Sequence, residues 1–269
     1  MIDSKLRATI KGYLEGFIQG MVNEFRASGL SAKELRPPRE SSKDGDIKPF
    51  HEAILPEGIL RITEFERSFS TKLGSTFEEV AKLIGSVRFQ TAERSYHVTG
   101  QVSRKAVRAI EAIVNRMNKG LKRTYPQLVE EILDVANEDG EERTRIADLY
   151  LRDSKAHEFF FEMKSPKPNK GQCLEATDRL LQIHAIRRAG PPKVRTYYAM
   201  AYNPYGLARA TYKHSFAKQY MDMSNQVLIG KEFWDLVGGD RTYETVLEIY
   251  REVGREKGPD MIDQLALGY

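Results

Sequence analysis

The stretch IADLYLRDSKAHEFFFEMKSPKPN, residues 146–169, sets an aspartate, Asp148, inside one apolar run and closes a second run with Glu162-Met163-Lys164. Read as a β-strand of period two, HEFFFEMKS sends His157, Phe159, Phe161 and Met163 to one side and Glu158, Phe160, Glu162 and Lys164 to the other. In the first run, the same alternation puts Asp148 on a side with Ile146 and Tyr150. A loop over residues 153–157, centred on Lys155, then brings Asp148 opposite Glu162 in an antiparallel pair.

Two opposed carboxylates repel, so this arrangement calls for positive charge between them. A divalent cation meets the need. A short set of hard oxygen ligands, with positions left for water and phosphate, describes Mg²⁺ rather than Zn²⁺, and no Cys/His cluster competes for the role. Hydrolysis of a phosphodiester requires an activated water, relief of charge on the non-bridging oxygens and help for the leaving oxygen, all of which bound metal can supply. For Lys164 three roles stay open: orienting the water, stabilising charge, or acting as base if its pKa is lowered.

The bare acid-x-Lys pattern also occurs at Asp3, Asp46 and Asp153. Only Glu162 adds an apolar strand before it, an aspartate at hairpin distance and a basic segment after it. The bland alternative is an edge strand whose exposed face ends in a salt-bridging Glu and Lys.

Helical spacing of Leu6, Ile10, Leu14, Phe17, Ile18, Met21, Val22 and Phe25 predicts an amphipathic helix over residues 3–28, capped by Asp3 or Ser4 and stopped at Gly29. LRPPRESSKDGDIKP reads as a polar connection. Residues 58–85 read as two helical pieces, the second opening at Ser75 or Thr76, with Phe77, Val80, Ala81 and Ile84 facing inward and Glu78 and Glu79 near its positive end. Further helices are expected in SRKAVRAIEAIVNRMNKG, YPQLVEEILDVAN and GQCLEATDRLLQIHAIRRAG, a β-run in VRTYYAMAY ended by a turn at Asn203–Gly206, and two more helices between Asn225 and Gly254.

The chain has 269 residues, 41% hydrophobic and 30% charged, an ordinary globular balance that excludes collagen-like, coiled-coil and disordered classes. One cysteine, Cys173, forms no intrachain disulfide, and no apolar run is long enough to cross a bilayer. A soluble cytoplasmic protein without a membrane partner is expected. A net charge of +4 suits a polyanionic partner without demanding one. The basic residues Lys164, Lys167, Lys170, Arg179, Arg187, Arg188, Lys193 and Arg195 crowd the segment after the hairpin, while Glu138, Asp139, Glu141 and Glu142 precede it.

Asp148 with Glu162-Met163-Lys164 resembles the PD-(D/E)xK nuclease motif, Ala147 standing at the nominal proline. The wider string ELRPPRESSKDGDIKPFHEAILPEGILRITEFERSFSTKLGSTFEEVAKLI, with FEMKSPKPNKGQ, YYAMAYNPYG and GKEFWDLVGG, is similar to the TdeIII-type family of type II restriction endonucleases over roughly residues 30–260. That resemblance implies an α/β fold with a central mixed sheet flanked by helices, a restriction-endonuclease-like core at about residues 60–205 and extra helices at both ends of a single nuclease domain spanning 1–269.

It also implies Mg²⁺-dependent cleavage of double-stranded DNA at a short site such as GGNCC. Asp148, Glu162 and Glu78 become the expected metal ligands, and these three with Lys164 the catalytic set. Glu78 enters through Gly74-Ser75-Thr76-Phe77-Glu78, which matches a Gly-x-x-x-Glu pattern, with Glu79 in reserve. Lys167, Lys170 and Gln172 are candidate DNA contacts, Gln172 equally a helix cap. Tyr197, Tyr198, Tyr202 and Tyr205 read as groove or core rim, and His184 and His214 receive no catalytic role.

A site-specific endonuclease acting on a palindrome is expected to be a homodimer, because the target mirrors the protein's two-fold axis. Two other functions fit the motif: a structure-specific repair or recombination nuclease, and a non-catalytic DNA-binding protein.

Overall fold

The computed structural model describes residues 2–25, 48–121, 123–136 and 140–262. The helix stop at Gly29, the connection over residues 35–47, and Glu138 and Asp139 lie outside them. In chain order the elements are α1 (Ser4–Phe25), α2 (Pro49–Ile54), α3 (Glu57–Arg88), β1 (Thr91–Ser103), α4 (Arg104–Asn118), α5 (Tyr125–Leu133) and β2 (Gly140–Arg152). After these come β3 (Glu158–Met163), α6 (Lys170–Arg187), β4 (Val194–Met200), α7 (Ser215–Tyr220), β5 (Val227–Ile229), α8 (Lys231–Gly238) and α9 (Thr242–Ile262). No helix among the described residues is long and apolar enough to cross a membrane.

Two compact units divide the chain: residues 3–76 with 246–269, and residues 77–245 with the first two. In the first, α1 buries Ile10, Leu14, Ile18, Met21 and Val22, and Asp3 Oδ1 caps it by accepting the Leu6 N–H at 2.8 Å. Phe17 and Phe25 meet Phe69 and Phe65 of α3, and Lys11 of α1 pairs with Glu252 of α9 at 2.8 Å.

The second unit is built on a five-stranded mixed sheet in the order β1-β2-β3-β4-β5. β1, β2 and β3 are antiparallel neighbours, and β3, β4 and β5 are parallel. β3 is thus central, which removes the edge-strand reading. The parallel step from β3 to β4 needs a crossover, and α6 supplies it.

One face of the sheet packs Tyr150 and Phe160 beneath α4, α5 and α6 with Ile110, Ile113, Val129, Ile132, Leu180 and Leu181. On the other, Phe161 meets Phe233 of α8 at 5.6 Å between rings. Burying a phenylalanine of this kind is worth about 1.5–3 kcal/mol, so the FFF run anchors the sheet from both faces.

α3 is one helix where two pieces were expected. The hydroxyls of Ser75 and Thr76 donate back to the carbonyls of Lys72 and Leu73, at 2.7 Å each, instead of opening a new helix. Gly74 costs the helix only about 1 kcal/mol, and the apolar stripe that ends in the buried Val80, Ala81 and Ile84 offsets it. β1, β5, α2 and α7 are elements that the sequence patterns did not bring out.

Candidate active site

β2 and β3 are joined by a loop over residues 153–157, as the spacing predicts, and their ladder runs from Arg152↔Glu158 to Leu149↔Phe161. One step further along the same register stand Asp148 and Glu162. There the ladder stops, and the Asp148 side chain takes over: its Oδ2 accepts the Met163 backbone N–H at 2.7 Å.

Strict alternation fails at this point, which corrects the expectation that Asp148 shares a side with both Ile146 and Tyr150. Tyr96 of β1 lies opposite Ala147 and stacks on Tyr150 at 4.0 Å, so Ala147 and Tyr150, an odd number of residues apart, face the same core. Ile146 is 48% exposed on the far side. In β1 the facing residue Ser95 has φ +49°, a left-handed backbone that reverses the pleat beside Asp148.

Three of the expected residues meet here. Lys164 Nζ lies 3.2 Å from Asp148 Oδ2 and 3.0 Å from Glu162 Oε1, so an ammonium supplies positive charge between the two acids. Glu162 is 3% exposed, and Arg179 of α6 holds the same Oε1 at 3.0 Å. Burial pushes the Glu162 carboxyl above its usual range and the Asp148 charge adds to this, against the opposing pull of Lys164 and Arg179. For Lys164, burial alone would lower the pKa, but Asp148 and Glu162 outweigh it and hold the amine above its ordinary value. The amine is therefore an ammonium at neutral pH, and the lowered pKa that a base would need is not what its surroundings produce.

Glu78, half-buried on α3, is engaged elsewhere: Arg94 of β1 approaches its Oε2 at 2.9 Å and Glu79 Oε2 at 3.0 Å. Burial raises the Glu78 pKa, with Arg94 opposing and the Asp148 charge adding to the rise. Glu79 is lowered, because Arg94 and Lys82 outweigh its burial. Glu78 therefore senses the Asp148–Lys164 pair, whereas Glu79 answers to cations outside it. Among the described residues no three His, Cys, Asp or Glu side chains converge as a metal site.

The peptide after Lys164 is pinned at three carbonyls. Tyr198 Oη donates to Ser165 O at 3.0 Å, Tyr212 Oη to Pro166 O at 2.8 Å, and His214 Nε2 to Pro168 O at 2.7 Å. Asn169 and Gln172 then form a reciprocal capping box that opens α6. Gln172 is thus a cap by its Oε1. Lys170 Nζ donates to Asn118 O at 3.1 Å, and Lys167 Nζ stands 5.6 Å from the centre of the Tyr205 ring. Tyr198 is wholly buried, Tyr202 and Tyr205 are exposed, and buried His184 lies in a separate hydrogen-bonded chain.

Asp148 of β2, Glu162 of the central β3 and Lys164 just past its end, the residues on which the PD-(D/E)xK resemblance rests, thus lie side by side. A family model described as "Type II restriction endonuclease, HinfI" matches residues 2–254. The chain belongs to the HinfI family of type II restriction endonucleases.

The type II restriction enzymes HgiBI and HgiEI of Herpetosiphon aurantiacus are each 43% identical to it, over 96% of this chain and 97% of theirs. HgiCII of the same organism is 41% identical over the same shares. The type II restriction endonuclease resemblance read from the sequence stands, and the family that matches carries the HinfI name.

Within this HinfI-family site, Arg94, Ser95 and the Tyr212–His214 clamp escape sequence reasoning. Arg94 lies on the unpredicted β1, although Tyr96, Val98 and Val102 do alternate there. Arg179 was visible only as one of many basic residues.

Proposed function

We propose that the protein is a Mg²⁺-dependent endonuclease that cuts both strands of DNA at a short palindrome, acting as a homodimer, with GGNCC the target that the family resemblance suggests. The observation that carries this reading is the Asp148–Lys164–Glu162 bridge between β2 and the central β3 of a chain in a type II restriction endonuclease family.

The residues fit a magnesium ion. The hydrogen bonds and ion pairs of Asp148 use Oδ2 alone and those of Glu162 use Oε1 alone, leaving Asp148 Oδ1 and Glu162 Oε2 without a partner among the described residues. Two carboxylates, with the remaining positions taken by water and phosphate, are a usual magnesium ligand set. Asp148 and Glu162 would hold the ion, and Glu78, whose carboxyl feels the Asp148 charge, is the candidate to complete the set. When bound, the ion supplies Lewis acidity and a water of lowered pKa.

The chain's own groups do the rest. Lys164, kept protonated, stabilises negative charge gathering on the phosphate oxygens and orients the attacking water by donating to it. Arg179 fixes the rotamer of Glu162. Lys167, exposed just past the site, contacts a neighbouring phosphate, while Lys170 and Gln172 hold the start of α6 and contact the backbone with their remaining donors.

Digesting a mixed-sequence duplex library with Mg²⁺ and sequencing the fragment ends tests the proposal. Cuts confined to one short palindromic motif support it. Absence of cutting, or cutting at junctions without sequence preference as a repair nuclease would give, overturns it.

A further inference from the structure

β1 and β2 pair over residues 91–103 and 140–152, but β3 accompanies β2 only from Leu149 to Arg152. Among the described residues, the rest of the pair is a two-stranded ribbon with no third strand. One face carries Val98 and Val102 and packs on the core under α4 and α6, where Ile186 approaches Gly100 closely. The other, turned outward by the pleat reversal at Ser95, exposes His97, Thr99, Gln101, Glu142, Thr144 and Ile146. This strip begins two residues from Asp148.

Its chemistry is unusual for a surface beside a nuclease centre. No lysine or arginine lies on it, while Arg143 and Arg145 stand opposite Gly100 and Val98 on the other face. A surface for phosphates would be basic, and Glu142 would repel one. Base edges in the major groove ask for something else: hydroxyl and amide groups for mixed donors and acceptors, a carboxylate for the cytosine amino group, and an apolar contact for the thymine methyl.

The strip offers each of these. Thr99 and Thr144 face each other with their hydroxyls 2.9 Å apart, which orders both side chains while leaving one proton free to donate outward. A lone two-stranded ribbon also has the width that the groove admits, about 12 Å. The Thr99–Thr144 row lies about 14 Å along the strand from Asp148, roughly four base-pair rises.

We propose that the exposed face of the β1–β2 ribbon enters the major groove next to the cut phosphate and reads base edges through Thr99, Gln101, Glu142 and Thr144. The inference rests on the nuclease reading above. It goes further by naming the residues that set sequence preference.

The test compares Gln101→Ala, Thr99→Val and Thr144→Val with the wild-type chain on the cut duplex and on duplexes altered at each single base pair. Wild-type cutting is measured first. Its absence would remove the nuclease reading and this inference together. The expected result is a loss of about 10–100-fold in kcat/KM on the preferred duplex, weaker discrimination at one position per variant, and an unchanged salt dependence of DNA binding measured in Ca²⁺.

Wild-type cutting with variants that keep both rate and discrimination would overturn the ribbon assignment alone. So would an equal loss on every duplex with a shallower salt dependence, the mark of a phosphate contact. Since the three side chains are exposed, melting temperatures should match the wild type. A variant that melts early is replaced by Gln101→Glu or Thr99→Ser, for which the same outcomes decide.

Discussion

Asp148 Oδ2 accepts the Met163 N–H at 2.7 Å, tying the acid of one strand to the strand that carries Glu162 and Lys164 where their ladder has ended. Charge and tether can be separated. Asp148→Asn keeps an oxygen for the Met163 N–H, whereas Asp148→Ala removes it. Both variants should lose cleavage by about 10³-fold or more, but only Asp148→Ala should lose stability, by roughly 1 kcal/mol. Denaturant titration alongside a cleavage assay checks this, and equal stability in the two variants would show that the tether contributes nothing.

Lys164→Ala should cut about 10²–10³-fold more slowly. Because the amine is held as an ammonium, the ratio of wild-type to variant rate should stay flat with pH from neutral into the mildly alkaline range. A ratio that climbs with pH would restore the base role to this side chain.

Arg94→Gln should act through Glu78. Burial already holds that carboxyl above its usual range, and loss of the guanidinium moves it higher. A folded-state pKa raised above the unfolded value means stability that is present below the usual carboxylate range and lost as pH rises through the folded pKa, so the variant should lose more than the wild type across that window and no more above it. The acid limb of its cleavage profile should shift upward, and adding Glu78→Gln should abolish the shift. A uniform loss at every pH would leave Arg94 a purely structural role.

Thermal melts with Mg²⁺ should show stabilisation of the wild type that disappears in Asp148→Asn and Glu162→Gln, while Ca²⁺ should support DNA binding with little cleavage. Full-rate cutting in Ca²⁺ or after exhaustive chelation would contradict the assigned metal ligands.

His184 should contribute to the acid sensitivity of the fold. Its Nδ1–H donates to Ala189 O at 2.8 Å, so Nε2 accepts from Thr196 at 3.0 Å, and Thr196 accepts from Tyr125 at 2.6 Å. Burial lowers its pKa from 6.5 to about 4. The unfolded chain therefore takes up a proton first, and the stabilisation, complete above pH 6.5, should fall as pH drops toward 4, by about 3 kcal/mol in all. His184→Gln should flatten that slope in urea titrations between these limits.

The hairpin was legible because its signals are local: two apolar runs, a loop of fixed length and acids at matching distance, from which the Asp148–Glu162 register follows by counting. What escaped depends on partners far along the chain. Glu78 reads as a helix-start acid until Arg94 of β1 appears beside it, and β1 itself is masked by the polar outward strip that alternates with Val98 and Val102. Gly74-Ser75-Thr76 reads as a break because its hydroxyls can cap, yet in the folded chain they satisfy carbonyls one turn back. The reversal at Ser95 needs a positive φ that no residue type there announces.

The clamp on Ser165, Pro166 and Pro168 bears on timing. Since Tyr198, Tyr212 and His214 secure that peptide as the chain folds, the ordering entropy of the Lys164 neighbourhood is already spent before DNA arrives. Whatever motion limits turnover must then be sought outside this pre-set rung, in how the duplex enters and leaves.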